Sequence, residues 1–378
     1  VPEQVEALVA TTCAAARLTA EDTYAGLPDA SLFGDAACGE LDLYDEAIET
    51  LDVETARTRA CEAEATAMEA DDRITNSEGG EMSWGIREVH LANSLGVYQN
   101  RNGSSASLWT TPVAGDGHGM QRDYWYTSAR HAADLATPQA VGAEAARRTL
   151  RRLDARKPET CQVPVVFEST VASRVLGALS GAINGGSIYR KASYLCDSLG
   201  ETIAAPNVTI VDNPHLVRGP ASKPFDGEGL PTTPLTLVDR GVRQSDVLDS
   251  YTARKLDMTS TRHASRGLGG TPSPSTTNLW MDQGDQSLDE LIAGVSNGLL
   301  VTELFGFGVN TITGDYSQGA VGIWIEDGKL THAVNEFTIA STLPKIWKGI
   351  DGLGNDRDPR RATSAPSMRI QQMTVAGS

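Results

Sequence analysis

Histidine and cysteine are the residues of this 378-residue chain that could hold a catalytic metal ion. Zinc-dependent hydrolysis needs neutral imidazoles or thiolates that converge on the ion, together with a general base. No two histidines lie close enough in sequence to share one helical turn, and no His-Glu-x-x-His motif is present. A site built from histidines would therefore draw on residues that are distant in sequence. The six histidines are His90, His118, His131, His215, His263 and His332.

The cysteines do not form a metal-binding or redox motif. There are five of them, an odd number at wide spacings, and none belongs to a Cys-x-x-Cys pair. This pattern favours reduced, mostly buried thiols in a cytosolic protein. The cysteines are Cys13, Cys38, Cys61, Cys161 and Cys196.

Motifs for other chemistries are also missing. The chain has no Gly-x-Ser-x-Gly turn, which the nucleophile of an α/β-hydrolase needs, and no phosphate-binding loop. Residues 267–270 (Gly-Leu-Gly-Gly) only superficially resemble a dinucleotide fingerprint, because no strand leads into them. They are part of a Gly/Pro/Ser/Thr-rich segment, residues 261–277, which predicts a loop. Arg262 and His263 in this loop are expected to face solvent.

Two short segments carry polar side chains that could bind a peptide. Residues 314–319 (Gly-Asp-Tyr-Ser-Gln-Gly) hold two glycines, which is typical of a loop that approaches a ligand, a peptide or another strand closely. An extended peptide could pair with the backbone of this first segment. The cations of the second segment, residues 189–191, could hold a carboxylate of the peptide. Turn geometry, hairpin hydrogen bonds or subunit contact remain alternatives for both segments. The candidates are Asp315, Tyr316 and Ser317 in the first, and Tyr189, Arg190 and Lys191 in the second.

Several segments, in collinear order over nearly the whole chain, carry a resemblance to a known family. The clearest are residues 314–320 (Gly-Asp-Tyr-Ser-Gln-Gly-Ala), 324–328 (Trp-Ile-Glu-Asp-Gly) and 334–340 (Val-Asn-Glu-Phe-Thr-Ile-Ala). Further segments are residues 73–80, 121–124, 185–191 and 251–256. Together they resemble the PmbA/TldE proteins, which form one half of the TldD/TldE peptidase system.

The resemblance also shows where this chain departs from a catalytic subunit. In the TldD half, a helix carries a His-Glu pair and a second His four residues after the Glu, and a Cys near the C-terminus completes the metal site. The resemblance places these helix positions at Gly177, Ala178 and Ala182, and the cysteine position near Ala365. Glycine and alanine have no side-chain lone pair. The resemblance therefore implies that this chain has no catalytic residue, no metal ligand and no cofactor, which is typical of the TldE half.

The same resemblance implies a function for a pair of subunits. A cytoplasmic bacterial chain of this type would form a heterodimer with a TldD-type subunit that carries zinc, and the pair would enclose a chamber. Such pairs process or degrade small unfolded peptides, including precursors of microcin-type antibiotics. This chain would shape the chamber and guide extended peptide to the partner's metal. In isolation it could form a homodimer.

Two other functions remain open from the sequence. One is an interaction protein without proteolytic activity, such as a modulator of a toxin or a topoisomerase. The other is a self-sufficient hydrolase with an unrecognised site. Recovery of a TldD-like chain on purification would favour the peptidase pair over the modulator, and a metal assay would test the self-sufficient hydrolase.

Charge excludes one class of partner. The net charge is −17, and residues 1–72 hold 18 Asp/Glu against 3 Arg/Lys, so 3 − 18 = −15 lies in this part. Such a field repels phosphate backbones, which argues against nucleic-acid binding. The acidic part is typical of solvated helix faces, and a docking surface for a basic partner is the alternative. No apolar run approaches the roughly 18 residues of a membrane span.

The order of predicted elements indicates an α+β protein with two domains. Residues 1–157 are predicted to combine helices with a sheet, and residues 158–378 to form a β-rich domain with a few helices. The start of the chain resembles the middle of the family's first domain, so part of that domain is expected to precede residue 1.

Particular elements follow from periodicity and caps. Residues 45–70 predict one long Ala-rich helix, Thr137-Pro138 begins another, and residues 170–183 predict an apolar helix. Alternating apolar residues over 321–325, a Glu-Asp-Gly-Lys turn at 326–329 and a return strand predict a β-hairpin.

Overall fold

A computed structural model describes residues 2–34, 38–115 and 119–378 of the chain. His118, one of the six histidines, lies outside the described residues. Within these ranges an N-terminal region of helices and one sheet is followed by a β-rich region with short helices. The predicted α+β class is therefore confirmed.

The N-terminal region is a long antiparallel ribbon covered by helices. Its helices are α1 (Pro2–Leu18), α2 (Glu46–Glu49), α3 (Val53–Met68) and α4 (Pro138–Leu150). Its strands are β1 (Ile74–Ala92), β2 (Tyr98–Gly115), β3 (Met120–Arg122) and β4 (Trp125–Ala129). Strand β2 pairs with all three other strands.

The prediction of one long helix over residues 45–70 is wrong, because the helix is interrupted between α2 and α3. Asp52 caps the start of α3, with its side chain accepting a hydrogen bond from the Thr55 backbone N–H at 2.8 Å. A capped N-terminus satisfies a backbone donor that a continuous helix would have paired internally. The polar cap outweighs the helix propensity of the flanking alanines.

The β-rich region contains the larger core. Its helices are α5 (Ser169–Ala182), α6 (Gly185–Tyr189), α7 (Ser250–Lys255), α8 (Leu288–Ala293) and α9 (Leu343–Lys348). Its first strands are β5 (Cys161–Phe167), β6 (Ile210–Asp212), β7 (Leu235–Asp239), β8 (Val242–Arg243), β9 (Ala264–Ser265), β10 (Ser273–Pro274) and β11 (Leu279–Met281). The remaining strands are β12 (Asn297–Phe305), β13 (Asp315–Glu326), β14 (Lys329–Thr342), β15 (Ile350–Leu353), β16 (Thr363–Ser364) and β17 (Met368–Ala376).

The main sheet of this region closes on itself. Its strand order is β14-β13-β12-β5-β17-β15, and β14 also pairs with β17, so five of the strands form a ring. The β13–β14 hairpin confirms the predicted turn: Asp327 and Gly328 have φ of 48° and 73°, the left-handed pair that a tight hairpin needs. Helix α5 packs its apolar side against this sheet through Val171, Val175 and Leu179.

The described cysteines depart from the sequence expectation in one respect. All five are free thiols, yet Cys13 and Cys61 are exposed and the other three are half-buried, so the prediction that most are buried is wrong. Separately, none of the helices in the described ranges is both long and apolar enough to cross a membrane.

Helix α4 lies unusually close to α3, and glycine makes this contact possible. A Cβ added at Gly142 would lie 2.3 Å from the Ala63 carbonyl oxygen and 2.8 Å from the Thr66 Cβ. Neither a backbone oxygen nor a β-carbon can move away without shifting α3 itself. The small residues of the two helices therefore set the distance between them.

Replacing Gly142 with Ala is expected to destabilise the fold by about 1–3 kcal/mol, because overpacking outweighs the better helix propensity of Ala. Gly177→Ala in α5 is the matched control, since a Cβ there meets nothing within 4 Å. That change should stabilise the helix by up to about 1 kcal/mol. Denaturant unfolding measures both effects, and the same sign for both variants would contradict the packing argument.

Candidate functional site

Helix α5 presents a polar, open face opposite the side that packs on the sheet. Val175, Leu176 and Leu179 are buried, whereas Arg174, Gly177 and Gly181 are exposed. The exposed positions recur at intervals of three and four residues, so they lie on one face of the helix. Ala178 is half-buried beside them.

The two glycines leave free space above this face. A Cβ added at Gly177 would meet nothing within 4 Å, and one at Gly181 would meet only the Thr311 methyl group at 3.9 Å. A side chain at either position would therefore begin in open space. The chain instead has hydrogen at Gly177 and a methyl group at Ala178.

The remaining two positions of the TldD pattern do not lie on the open face. Ala182 is fully buried in the main core, and its carbonyl accepts a hydrogen bond from Ser193 Oγ at 2.6 Å. Ala365 is also buried, and its backbone N–H donates to Ser173 Oγ at 3.2 Å, one turn before Gly177. The C-terminal segment thus does reach α5, as the resemblance implies.

The side chains at these four positions do not fit a zinc ion, because hydrogen and methyl groups offer no lone pair. Elsewhere in the described ranges, three or more His, Cys, Asp or Glu side chains nowhere come together in a group that could hold a metal. The described histidines have local partners instead, such as Glu88 for His90 and Thr232 for His215.

A cavity of about 290 Å³ adjoins the open face of α5. Arg174 and Ala178 contribute the helix side, and Tyr316 and Gln318 of β13 contribute the sheet side. The segment between β12 and β13 forms the rim, where Phe307 is fully exposed. The cavity thus combines a cation, an amide and an apolar rim.

The prediction that residues 314–319 form a loop is wrong, because β13 begins at Asp315. Its first residues pair with the end of β14, and Ser317 N–H donates to the Gly308 carbonyl at 2.7 Å on the other side. A Cβ at Gly308 would lie 1.7 Å from the Ser317 oxygen, so only glycine allows this approach. The segment after β12 therefore covers the strand edge to which a peptide could otherwise add.

The three candidates on β13 differ in position. Tyr316 is buried and lines the cavity, whereas Asp315 and Ser317 are exposed and do not. The Tyr316 hydroxyl has no hydrogen-bond partner among the described residues, and burial raises its pKa well above the usual range. The hydroxyl is thus a neutral donor that the described residues leave unpaired.

The second candidate set lies at the end of α6 and does not line this cavity. The Arg190 guanidinium stacks on the Tyr189 ring at 5.0 Å and donates to its hydroxyl at 3.1 Å. Arg190 and Lys191 are exposed. The structure therefore does not bring these residues together with Asp315, Tyr316 and Ser317 in one pocket.

The prediction that His263 faces solvent is wrong. It is fully buried, with Nε2 at 3.1 Å from Asp212 Oδ2 and Nδ1 at 2.5 Å from the Thr261 carbonyl oxygen. Thr277 N–H also donates to Asp212 at 2.7 Å. These hydrogen bonds hold in place the loop that the Gly/Pro/Ser/Thr composition predicts, and they give the buried His263 and Asp212 side chains partners.

Most of the residues that line the cavity were not predicted from the sequence, among them Arg174, Phe307 and Gln318. A signal existed for Arg174, which is the only charged residue within an otherwise apolar helix. Phe307 and Gln318 become recognisable only when the rim segment and β13 are folded against α5.

Family models match most of the chain. One, described as the PmbA/TldA metallopeptidase central domain, matches residues 46–153. The other, described as the PmbA/TldA metallopeptidase C-terminal domain, matches residues 160–377. The chain therefore belongs to the PmbA/TldD metallopeptidase family.

Individual relatives narrow this assignment. Metalloprotease PmbA of Escherichia coli O157:H7 is 40% identical over 384 residues, covering 100% of this chain and 81% of the relative. A crystal structure from Bacteroides thetaiotaomicron, of a protein provisionally described as a modulator of DNA gyrase, is 29% identical with a TM-score of 0.92, covering 100% of this chain and 84% of that chain. TldE from Thermococcus kodakarensis has the same fold, with a TM-score of 0.88 at 21% identity over 100% of this chain and 85% of that one. Within the family, the chain is of the PmbA/TldE type.

Proposed function

We propose that this chain is the non-catalytic subunit of a TldD/TldE-type zinc peptidase and guides unfolded peptide to a metal held by a TldD-type partner. The observation that carries the proposal is the open face of α5. Gly177 and Ala178 stand there where the resemblance places a metal ligand and the general base, beside a 290 Å³ cavity. The space for a catalytic site is present, and the side chains that would perform the chemistry are not.

The cavity has groups suited to a guiding role. The Arg174 side chain donates to the Leu304 carbonyl and lines the cavity, where it could hold a peptide carboxylate. Gln318 and the Tyr316 hydroxyl could bind peptide backbone, and the exposed Phe307 could contact apolar side chains or the partner subunit. Small unfolded peptides, including microcin-type precursors, are the substrates in this proposal, and the cytoplasm is the compartment.

Purified alone, the chain is expected to hold no stoichiometric zinc and to cleave no peptide, whether it is monomeric or homodimeric. Mixing it with a TldD-type subunit should produce a heterodimer with zinc and peptidase activity. Metal analysis, size-exclusion chromatography and a peptide-cleavage assay measure the three outcomes. Activity in a clean, partner-free sample would refute the division of labour.

A variant on the open face links the activity to this site. Gly177→Trp places an indole on the open face of α5, where a Cβ meets nothing within 4 Å, and it should reduce cleavage by the reconstituted pair about tenfold or more by excluding peptide. Leu268→Trp is the control, because Leu268 is fully exposed and lies outside the cavity. Equal activity of both variants would place the peptide path elsewhere.

A second function is favoured by one observation, the provisional description of the Bacteroides protein as a modulator of DNA gyrase. In this case the chain would bind a topoisomerase or a toxin without proteolysis. Co-purification under mild conditions distinguishes the two: a TldD-like chain supports the peptidase pair, and its absence together with a bound topoisomerase supports the modulator.

A further inference from the structure

A cavity of about 800 Å³ lies between the N-terminal sheet and loops of the β-rich region. Strands β1, β2 and β4 form one wall, and residues 216–223 and 276–277 form the other together with Arg357, Pro359 and Arg360. Among the described residues, seven Arg or Lys side chains line it against a single carboxylate, that of Asp134. This excess is opposite in sign to the net charge of −17 of the whole chain.

Two of these cations are neutralised within the protein. Arg218 pairs with Asp42 at 2.6 Å and with Asp134 at 3.0 Å. Arg360 pairs with Asp358 at 2.8 Å. The carboxylate of Asp134, which lines the cavity, is therefore already paired with Arg218.

The other five form no ion pair within 4 Å among the described residues, although the charge of Asp226 acts on Lys223 and that of Asp282 acts on Arg357. Arg130 donates only to carbonyl oxygens, at 3.0 Å to Ser104 and at 3.3 Å to Gly219, and Lys223 donates to the Ala264 carbonyl at 3.0 Å. Arg357 stacks on the Trp280 ring at 4.8 Å. The five cations are Arg87, Arg101, Arg130, Lys223 and Arg357.

Arg101 is the centre of this group. It reaches from β2 across to the β-rich region, where its guanidinium stacks over the Phe225 ring at 5.8 Å. Its buried Nε has no hydrogen-bond partner among the described residues. Burial lowers the pKa of Arg101, and the charges of Arg87 and Arg130 lower it further. Like charges held this close together are costly, so an anionic ligand in the cavity would relieve the repulsion among Arg87, Arg101 and Arg130.

We infer that this cavity binds an acidic segment of a peptide, and that the carboxylates of the peptide contact the Arg and Lys side chains of the cavity. The Arg forks match carboxylates in a bidentate manner, and they are spread over two walls rather than gathered at one point. The intervening Asn102, Ser105 and Thr276 offer neutral hydrogen-bonding groups suited to peptide backbone. The choice of a peptide as the ligand rests on the proposed function, whereas the acidic N-terminal part of the chain disfavours long nucleic acids.

The test is fluorescence anisotropy with the purified chain and a short labelled peptide rich in Glu. Its Gln counterpart is measured in parallel, and each is made with a free and with an amidated carboxyl terminus. Weaker binding on replacing Glu identifies side-chain carboxylates, and weaker binding on amidation identifies the terminal carboxylate; either result supports the site. Equal binding of all four peptides overturns it.

Two variants on opposite walls assign the binding to this cavity. Arg101→Met and Arg357→Met should each weaken binding of the acidic peptide about tenfold, the loss expected for one charge-assisted contact. Arg240→Met should have no effect, because Arg240 is exposed and lies outside the cavity. If both cavity variants bind like the unmodified chain, the inference fails, and it also fails if a single-stranded oligonucleotide of equal charge binds more tightly than the peptide.

This test is independent of turnover and of the partner subunit. A reconstituted pair without peptidase activity would refute the proposed function, yet carboxylate-dependent binding by the isolated chain would still establish the site. Conversely, equal binding of the charged and uncharged peptides would refute the proposed site, but it would not affect the proposed division of labour between the subunits.

Discussion

Replacing Glu168 with Gln is expected to destabilise the folded chain by about 3–5 kcal/mol, because it removes the carboxylate charge that pairs with buried Arg148 and half-buried Arg151. Glu168 directly precedes α5 and is 6% exposed. It accepts from Arg151 at 2.5 Å and from Arg148 at 3.3 Å. Urea unfolding measures the loss as a lower midpoint.

The network around Glu168 joins the two regions of the protein. Arg148 and Arg152 at the end of α4 also approach Asp123, at 3.4 Å and 3.5 Å, and Arg152 pairs with Glu303 of β12. A control variant removes a carboxylate from an exposed pair: Glu54→Gln, beside Arg57 in α3, should leave the midpoint unchanged. If both variants shift the midpoint equally, burial does not control the strength of these ion pairs.

The same residue predicts a dependence of stability on pH. Burial alone would raise the pKa of Glu168, but hydrogen bonds and charges from Arg151 and Arg148 outweigh it and hold the pKa below its ordinary value. A depressed folded-state pKa contributes stability that is fully present above the unfolded value of about 4.3 and is lost as pH falls through the folded value. The Gln variant should therefore lose less stability than the unmodified chain over this acidic range.

The position of the arginines near the end of α4 could be predicted from the sequence, but their ion-pair partners could not. Four cations near the end of α4 fit the negative end of the helix dipole, and the helix does begin at Thr137-Pro138 as predicted. Their partners Glu168 and Glu303 lie in another region of the chain, and only the folded arrangement brings them together. Local caps are visible in sequence, whereas long-range pairing is not.

The strands and glycines also show that local features could be predicted from the sequence and long-range contacts could not. The β13–β14 hairpin was predictable, because alternation and an Asp-Gly turn are local signals. The place of β5 in the ring was not, because β5 pairs with β12 and β17, whose residues lie more than a hundred positions away in sequence. Gly314 and Gly319 favoured a loop, but glycine at 319 instead makes room for Phe305, whose ring would lie 2.2 Å from an added Cβ.

The candidate site was predictable in its chemistry and not in its shape. The absence of ligands at Gly177 and Ala178 is a property of the sequence. The burial of Ala182 and the cover that Gly308 places on the β13 edge depend on packing. For this reason Tyr316, alone among the predicted peptide-binding residues, lines the cavity.

Trp347→Ala is expected to cost about 3–5 kcal/mol of folding free energy, the range for truncating a fully buried aromatic side chain. Trp347 lies in α9, is 1% exposed and belongs to the main core. Its carbonyl also accepts a hydrogen bond from the Ala205 backbone at 3.0 Å. Because the surrounding sheet is closed into a ring, the walls of the new cavity have little freedom to collapse.

Phe307→Ala is the matched control, since it truncates an aromatic ring that is fully exposed at the rim of the 290 Å³ cavity. It should leave the unfolding midpoint unchanged, whereas Trp347→Phe should lose less stability than Trp347→Ala. A small effect of Trp347→Ala, comparable with that of Phe307→Ala, would show that the core around α9 can rearrange to fill the space.

The destabilisation caused by Trp347→Ala should also affect the turn at Gly314, next to the candidate site. Leu343 N–H, at the start of α9, donates to the Gly314 carbonyl at 2.7 Å, and Gly314 has φ of 82° immediately before β13. When α9 loses its anchor in the core, this hydrogen bond should open more often, so the Leu343 amide should exchange faster in Trp347→Ala. In Phe307→Ala, exchange at Leu343 should be unchanged. Unchanged exchange in both variants would mean that the Gly314 turn is held in place by β13 and β14 rather than by the helix that follows them.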